Sequence, residues 1–160
     1  MRQILFYVFV TLFFLAVHAT LINYITIGNA IPDILLIWIV YIALTRGQMS
    51  GLLAGFFIGL FIDFISGGVL GLSALTKTLA GFFAGYFFND NKTEHTLSTW
   101  KFVVAVGLAA LLHNAIYFLI FLQGTDVGWW RALILHGIPS TLYTTALAMI
   151  PMFIFRRKFQ

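Results

Sequence analysis

Two ionisable residues, Asp63 and Lys77, lie in otherwise apolar stretches on either side of a glycine-rich turn. In a bilayer such residues are costly unless they have a partner or face a polar cavity. Our first hypothesis is that Asp63 and Lys77 form an ion pair, directly or through water, that fixes the register of two helices. Two alternatives stay open: Asp63 caps the glycine turn while Lys77 faces a polar cavity alone, or both belong to an ion or proton relay.

Other polar residues expected in the membrane suggest further chemistry. Histidines can bind a metal, but no HxxxH or HExxH spacing predicts a metal site. Ser73 and His136 are similar to the Ser–His dyad of rhomboid proteases, but Ala74 replaces the glycine that usually follows such a serine. Polar membrane residues more often join helices by hydrogen bonds, and here they could also line a small cavity. The intramembrane residues with this expected role are His18, Lys77, His113, Asn114 and His136.

The composition predicts an all-α integral membrane protein with a single six-helix transmembrane domain over residues 1–160. Hydrophobic residues make up 61% of the chain and charged residues 9%, whereas a soluble domain carries about 25% charged residues. A span needs about 20 apolar residues, so the length of 160 residues allows six spans. The predicted helices lie at about residues 4–25, 32–45, 49–65, 70–88, 100–122 and 130–155.

The second and the last predicted helices are irregular. Asp33 and Arg46 bound the second helix and lie about 18 Å apart along it, less than the roughly 30 Å hydrocarbon core. Either this helix extends beyond both charges, or it is a short element shielded by neighbours; we favour the first, with Arg46 snorkelling. Pro139 and Pro151 predict that the last helix is kinked or broken.

Glycines recur every four residues on the two helices that flank the turn. This spacing keeps them on one helical face, where small residues let membrane helices approach closely. The helix-packing positions predicted in this way are Gly51, Gly55, Gly59, Gly81 and Gly85. No phosphate-binding glycine loop and no cofactor motif is present, so no cofactor is expected.

The basic residues predict the topology. If the six spans place both termini in the cytoplasm, almost all of the lysines and arginines lie on that side, as the positive-inside rule requires. Asp33 and the Ser66–Gly68 turn then face the outside. Because these charges are spread over helix ends, they do not indicate nucleic-acid binding.

The segment from Pro32 to Gly85 resembles the bacterial rod shape-determining protein MreD family. The matching pieces are Pro32-Asp33, Arg46-Gly47, the glycines at 51, 55 and 59, Asp63-Phe-Ile-Ser66-Gly67, Leu70-Gly71, Ala74-Leu75, and Gly81 with Gly85. Lys77 departs from the family pattern, in which an apolar or small residue is expected. The residues of the motif that bind a partner or shape the turn are expected to be Pro32, Asp33, Asp63, Ser66, Gly67, Gly68 and Gly71.

The resemblance implies a non-enzymatic subunit of the cell-wall elongation machinery in the bacterial plasma membrane. Such a subunit binds the single-span protein MreC and acts through it on MreB and on the peptidoglycan synthase pair. The implied fold is similar to the S components of energy-coupling-factor transporters. The alternative function is therefore binding of a small solute. The outer turn and Pro32-Asp33 are expected near the partner, unless the glycines only close the hairpin.

Overall fold

The structure, a computed structural model, describes residues 2–25, 31–123 and 128–158, which are mostly helical and contain no strand. The helices are α1 (Arg2–Ile25), α2 (Ile34–Arg46), α3 (Gln48–Ser66), α4 (Leu72–Ala84), α5 (Thr93–Leu97), α6 (Trp100–Phe121), α7 (Trp129–Ala132), α8 (Ile138–Leu147) and α9 (Met149–Lys158). Two 3-10 turns, Gly85–Phe87 and Asp90–Lys92, precede α5, and a π-helical turn, Leu133–Gly137, joins α7 to α8. The predicted all-helical class is confirmed.

Three helical regions of the described chain are long and apolar enough to cross a membrane. They are α3, α6 and the composite region Trp129–Arg157. The apolar helix α2 and the apolar part of α1, Tyr7–Thr20, are shorter. With 19 residues, α3 is about 28 Å long, close to the thickness of the hydrocarbon core.

The helix α2 is central and buried, although its amphipathic pattern is weak. Leu35, Leu36, Ile39 and Val40 are all fully buried. The helix starts after Asp33, its N-cap, and stops before Gly47, which has a φ of 87°. The expectation that α2 extends beyond both charges is therefore wrong: it is a short element that its neighbours shield from lipid.

A second layer of packing joins α2 to the helices that follow α4. Phe102 and Val106 of α6 are fully buried in a cluster with Ala80 of α4 and Met152 of α9. Tyr41 of α2 stacks on Phe155 of α9, with ring centroids 5.4 Å apart. The end of α2, the start of α6 and the end of α9 therefore meet at one end of the bundle.

The glycine stripes of α3 and α4 face each other. A Cβ on Gly55 would overlap the backbone carbonyl of Lys77, and one on Gly81 would overlap the carbonyl of Gly51. A Cβ on Gly59 would lie 2.5 Å from the Cα of Ala74, and one on Gly85 would overlap the backbone of Gln48. Any side chain at these positions would force the two backbones apart.

The last helical region is broken, as its prolines predict. Proline removes a backbone N–H and clashes with the carbonyl four residues earlier. For Pro139 that carbonyl belongs to residue 135, which lies in the π-helical turn. For Pro151 it belongs to Leu147, the last residue of α8, and α9 starts after Ala148.

Candidate functional site

Asp33 fixes the chain where it enters α2. One carboxylate oxygen, Oδ1, accepts a hydrogen bond from the backbone N–H of Leu36 at 2.9 Å, which caps the helix. The backbone N–H of Asp33 donates to Oγ1 of Thr144 at 3.0 Å, and that of Ile31 donates to Oγ of Ser140 at 3.0 Å. The start of α2 is therefore anchored to α8. Pro32, between these two donors, is buried.

Lys77 pairs with Asp33 and not with Asp63. It lies on α4, only 3% exposed, and its Nζ donates to Oδ2 of Asp33. The hypothesis of an Asp63–Lys77 pair is therefore wrong. The physical reason is the position of Lys77 along α4. Lys77 lies four residues after Ser73, about 6 Å further along the helix, and is therefore level with the start of α2. Removing one partner of a buried ion pair typically costs about 3–5 kcal/mol.

His113 of α6 completes this polar centre. Its Nε2 lies 3.7 Å from Oδ2 of Asp33. Its Nδ1 is the one buried side-chain nitrogen or oxygen without a hydrogen-bond partner among the described residues. The carboxylate of Asp33 is therefore surrounded by groups from α2, α4 and α6.

A cavity of about 480 Å³ opens beside this centre. The intramembrane polar residues that the sequence singled out all line it: His18, Lys77, His113, Asn114 and His136. The side-chain amide of Asn114 donates to the carbonyl of Gly137 at 3.2 Å and to Oγ1 of Thr141 at 2.9 Å, which ties α6 to α8. Asn114 and Lys77 therefore link helices and also form part of the wall of a polar cavity.

The catalytic alternatives gain no geometric support from the described part of the chain. Ser73 and His136 line the same cavity, but no hydrogen bond joins them among the residues described. Within the same ranges, no group of three or more His, Asp or Glu residues is arranged to hold a metal ion.

Asp63 caps α4 across the turn. Although it lies near the end of α3 and is 3% exposed, its Oδ2 accepts from the N–H of Gly71 at 2.9 Å and of Ala74 at 3.2 Å. Its Oδ1 accepts from the N–H of Ser73 at 3.1 Å. A negative charge at a helix N-terminus is favourable because unpaired N–H groups and the helix dipole meet there. The capping alternative proposed for Asp63 is therefore the one that the structure adopts.

Two glycines of the turn have backbone conformations that favour glycine. Gly67 has a φ of 64° and ends α3, and Gly71 has a φ of 93° and precedes α4. The left-handed conformation costs other residues about 1–2 kcal/mol. Gly68 does not have a positive φ, and a Cβ added to it would lie 3.6 Å from its nearest neighbour, Oγ of Ser66.

The outside of this turn is apolar. Phe64 is 81% exposed and Leu70 is 68% exposed, with Ile65 and Val69 also exposed between them. The hydroxyl of Ser66 donates within the turn, to the carbonyl of Asp63 at 3.4 Å. The segment from Asp63 to Gly71 thus combines a carboxylate that is hydrogen-bonded within the hairpin with an exposed apolar tip.

The fold and site define a helical membrane protein with a capped hairpin and a buried ion pair. A family model described as rod shape-determining protein MreD matches residues 1–159. The chain therefore belongs to the MreD family, and the resemblance seen in its sequence is confirmed. Comparison with curated proteins and with solved structures gives no match.

Family membership defines the coarse function. The chain is a rod shape-determining membrane protein, and its family is part of the rod-shape complex. The apolar helices agree with a multi-pass protein in a membrane. The family is a structural one and is not known for enzymatic activity.

Proposed function

We propose that this chain is a scaffold subunit of the bacterial cell-wall elongation complex, that it has no enzymatic activity, and that it binds the single-span protein MreC. Through MreC it acts on MreB and on the peptidoglycan synthase pair, and so on cell shape. The observation that carries this proposal is the apolar tip of the α3–α4 hairpin, together with membership of the family.

The proposed topology has six spans in the plasma membrane, resembling the S-component fold, with both termini in the cytoplasm. Its support is that basic residues gather at one end of the bundle. Arg46 ends α2, Lys101 begins α6 and Arg156 lies near the end of α9, and the ring contacts of Tyr41, Phe102 and Phe155 hold these ends together. Basic residues at one end are typical of the cytoplasmic side.

The partner surface is proposed to be the outer turn. Because the carboxylate of Asp63 is fully used inside the hairpin, the turn keeps a fixed shape without a partner. Phe64, Ile65, Val69 and Leu70 then present a preformed apolar contact. Preformed surfaces bind with a smaller loss of entropy than surfaces that must first become ordered.

A bulky residue at Gly68 tests this surface. Gly68 does not have a positive φ and has room for a Cβ, and we expect Gly68→Trp to reduce co-purification of MreC about tenfold, equivalent to about 1.4 kcal/mol. Thermal stability should not change. The control is Val104→Trp on the exposed face of α6. Undiminished MreC binding by Gly68→Trp contradicts the proposal. If Gly68→Trp lowers MreC binding and thermal stability to the same extent, the turn only closes the hairpin and is not the partner surface.

A second candidate function, binding of a small solute, is favoured by the polar cavity. Its volume of about 480 Å³ lies within the range of small-molecule sites, roughly 300–1,000 Å³. Asp33 at the start of α2, Lys77 on α4, and His113 with Asn114 on α6 converge on it. Denaturation of the purified protein followed by mass spectrometry would release a stoichiometric small molecule if this function is correct. Its absence, with MreC still bound, favours the scaffold.

A further inference from the structure

A second, mostly apolar groove lies near the Arg46 end of α2, whereas the polar cavity lies at its Asp33 end. It runs between α1 and α3 over part of α2 and encloses about 700 Å³. Its walls include Leu12, Leu15, Leu53 and Phe57, and Phe61 is the lining residue of α3 that lies furthest from Ser50. It is independent of the residues to which the proposed function assigns the partner contact.

One end of this groove is positively charged. Arg46 is the single charged side chain among the described residues that line it, and it is exposed. The guanidinium carbon of Arg46 lies 5.2 Å from the ring centroid of Tyr7, and its Nε donates to the hydroxyl of Tyr7 at 3.5 Å. The hydroxyl of Ser50 lies at the same end and donates to the backbone carbonyl of Arg46 at 3.2 Å. A guanidinium, a group suited to bind an anion, therefore lies at one end of a mostly apolar groove.

The groove has the length of one leaflet. From Ser50 to Phe61 it follows α3 over 12 residues, which rise about 17 Å between the first and the last, and one half of the hydrocarbon core is about 15 Å thick. The charged end lies at the Arg46 end of the bundle, where the membrane surface is expected. The length of the groove and the position of its charged end both match a single phospholipid molecule with its headgroup at Arg46.

A transmembrane helix fits this groove less well. Helices that pack in bilayers approach through small residues, but the small-residue stripe of α3 is already used against α4. Small residues, Ser50 and Ala54, also line the groove, but the large side chains of Leu53, Phe57 and Phe61 make this face of α3 uneven. Flexible acyl chains can adapt to such an uneven wall, whereas a straight helix crossing the full membrane cannot.

We propose that this groove binds an anionic phospholipid, with its acyl chains between α1 and α3 and its phosphate against Arg46. Anionic lipids are attracted to basic residues at the membrane surface by about fivefold in affinity for each residue. This charge gives selectivity for anionic headgroups, and the apolar walls bind acyl chains of any lipid. The two contributions can therefore be separated by mutation.

Headgroup selectivity tests the role of Arg46. The full-length protein is titrated with phosphatidylglycerol and with phosphatidylcholine of the same acyl chains, and bound lipid is counted by native mass spectrometry. We expect Arg46→Gln to lower the preference for phosphatidylglycerol about fivefold, and Arg46→Lys to retain it. The control Arg131→Gln removes an exposed arginine outside the groove. An unchanged preference in Arg46→Gln would overturn the proposal.

Groove filling tests the acyl-chain site. Ala54→Phe places a ring in the groove and should reduce binding of both lipids alike, whereas Ala19→Phe on an exposed part of α1 should not. A photoreactive benzoylphenylalanine at Leu53, in a chain otherwise unchanged, identifies the occupant directly. A phospholipid adduct supports the proposal even if Ala54→Phe fails to fold. An adduct with MreC or with a second copy of this chain contradicts it.

Discussion

The pairing of Lys77 with Asp33 leads to the most quantitative prediction. Methionine has a similar length to lysine, but Lys77→Met leaves the carboxylate of Asp33, which is only 17% exposed, without its cation. Breaking a buried pair in this way costs about 3–5 kcal/mol. For a chain of this size, that corresponds to a fall of roughly 6–20 °C in the unfolding temperature. The control Lys101→Met removes an exposed lysine at the start of α6 and should change stability by less than about 0.5 kcal/mol.

A double-mutant cycle identifies the partner of Lys77. Asparagine also caps helices well, so Asp33→Asn removes the charge while it keeps the bond to Leu36. We expect the double variant Asp33→Asn/Lys77→Met to recover about 2 kcal/mol or more relative to the sum of the single variants. Asp63→Asn with Lys77→Met should be additive within about 0.5 kcal/mol. Denaturant unfolding in detergent measures all of these. A larger coupling for Asp63 than for Asp33 would refute the reasoning.

Three further predictions follow from the packing and the caps. Asp63→Ala removes three backbone hydrogen bonds to a carboxylate and should lower the free energy of unfolding by about 2 kcal/mol or more; an effect no greater than that of Ser66→Ala would contradict the capping role. Gly55→Leu overlaps the backbone of Lys77 and should prevent a stably folded hairpin in a protease-protection assay, whereas Gly68→Ala should behave like the unmodified chain. Asn114→Leu removes two hydrogen bonds between α6 and the last helical region. It should lower the free energy of unfolding, measured by thermal unfolding, by about 1–2 kcal/mol. An unchanged free energy of unfolding would contradict the presence of these bonds in the membrane.

Local patterns in the sequence predicted the fold class and the family. The apolar stretches predicted a helical membrane chain, and the Asp63 to Gly71 motif indicated the family. The breaks near Pro139 and Pro151 were predictable because proline acts on the carbonyl four residues before it, which is a local effect.

The partner of Lys77 was not predictable in the same way. Two carboxylates, Asp33 and Asp63, were available, and the choice depends on the relative depth of three helices. Asp63 is taken up by the N–H groups of α4, because Gly71 turns the chain back over it. Only Asp33 then remains within reach of Lys77. The sequence did contain one indication of the pair. Lys77 and Asp33 lie on separate predicted helices, and each is an ionisable residue that needs a partner in a membrane.

The burial of α2 could not be predicted from local sequence patterns either. Its 13 residues form a helix shorter than the thickness of the hydrocarbon core, and the sequence alone does not tell whether such a helix lies at an interface or inside a bundle. Leu35, Ile39 and Val40 are fully buried because α1, α3, α4 and α6 surround α2. Such shielding depends on tertiary contacts that local patterns do not contain.

Photo-crosslinking in cells from Phe64 and from Leu70 tests the scaffold role most directly. Both side chains are largely exposed on the tip of the hairpin, and Val104 on α6 provides the control position. The scaffold proposal predicts adducts with MreC from both tip positions and none from Val104. Adducts with lipid alone from the tip, in cells where MreC still co-purifies with this chain, would contradict it.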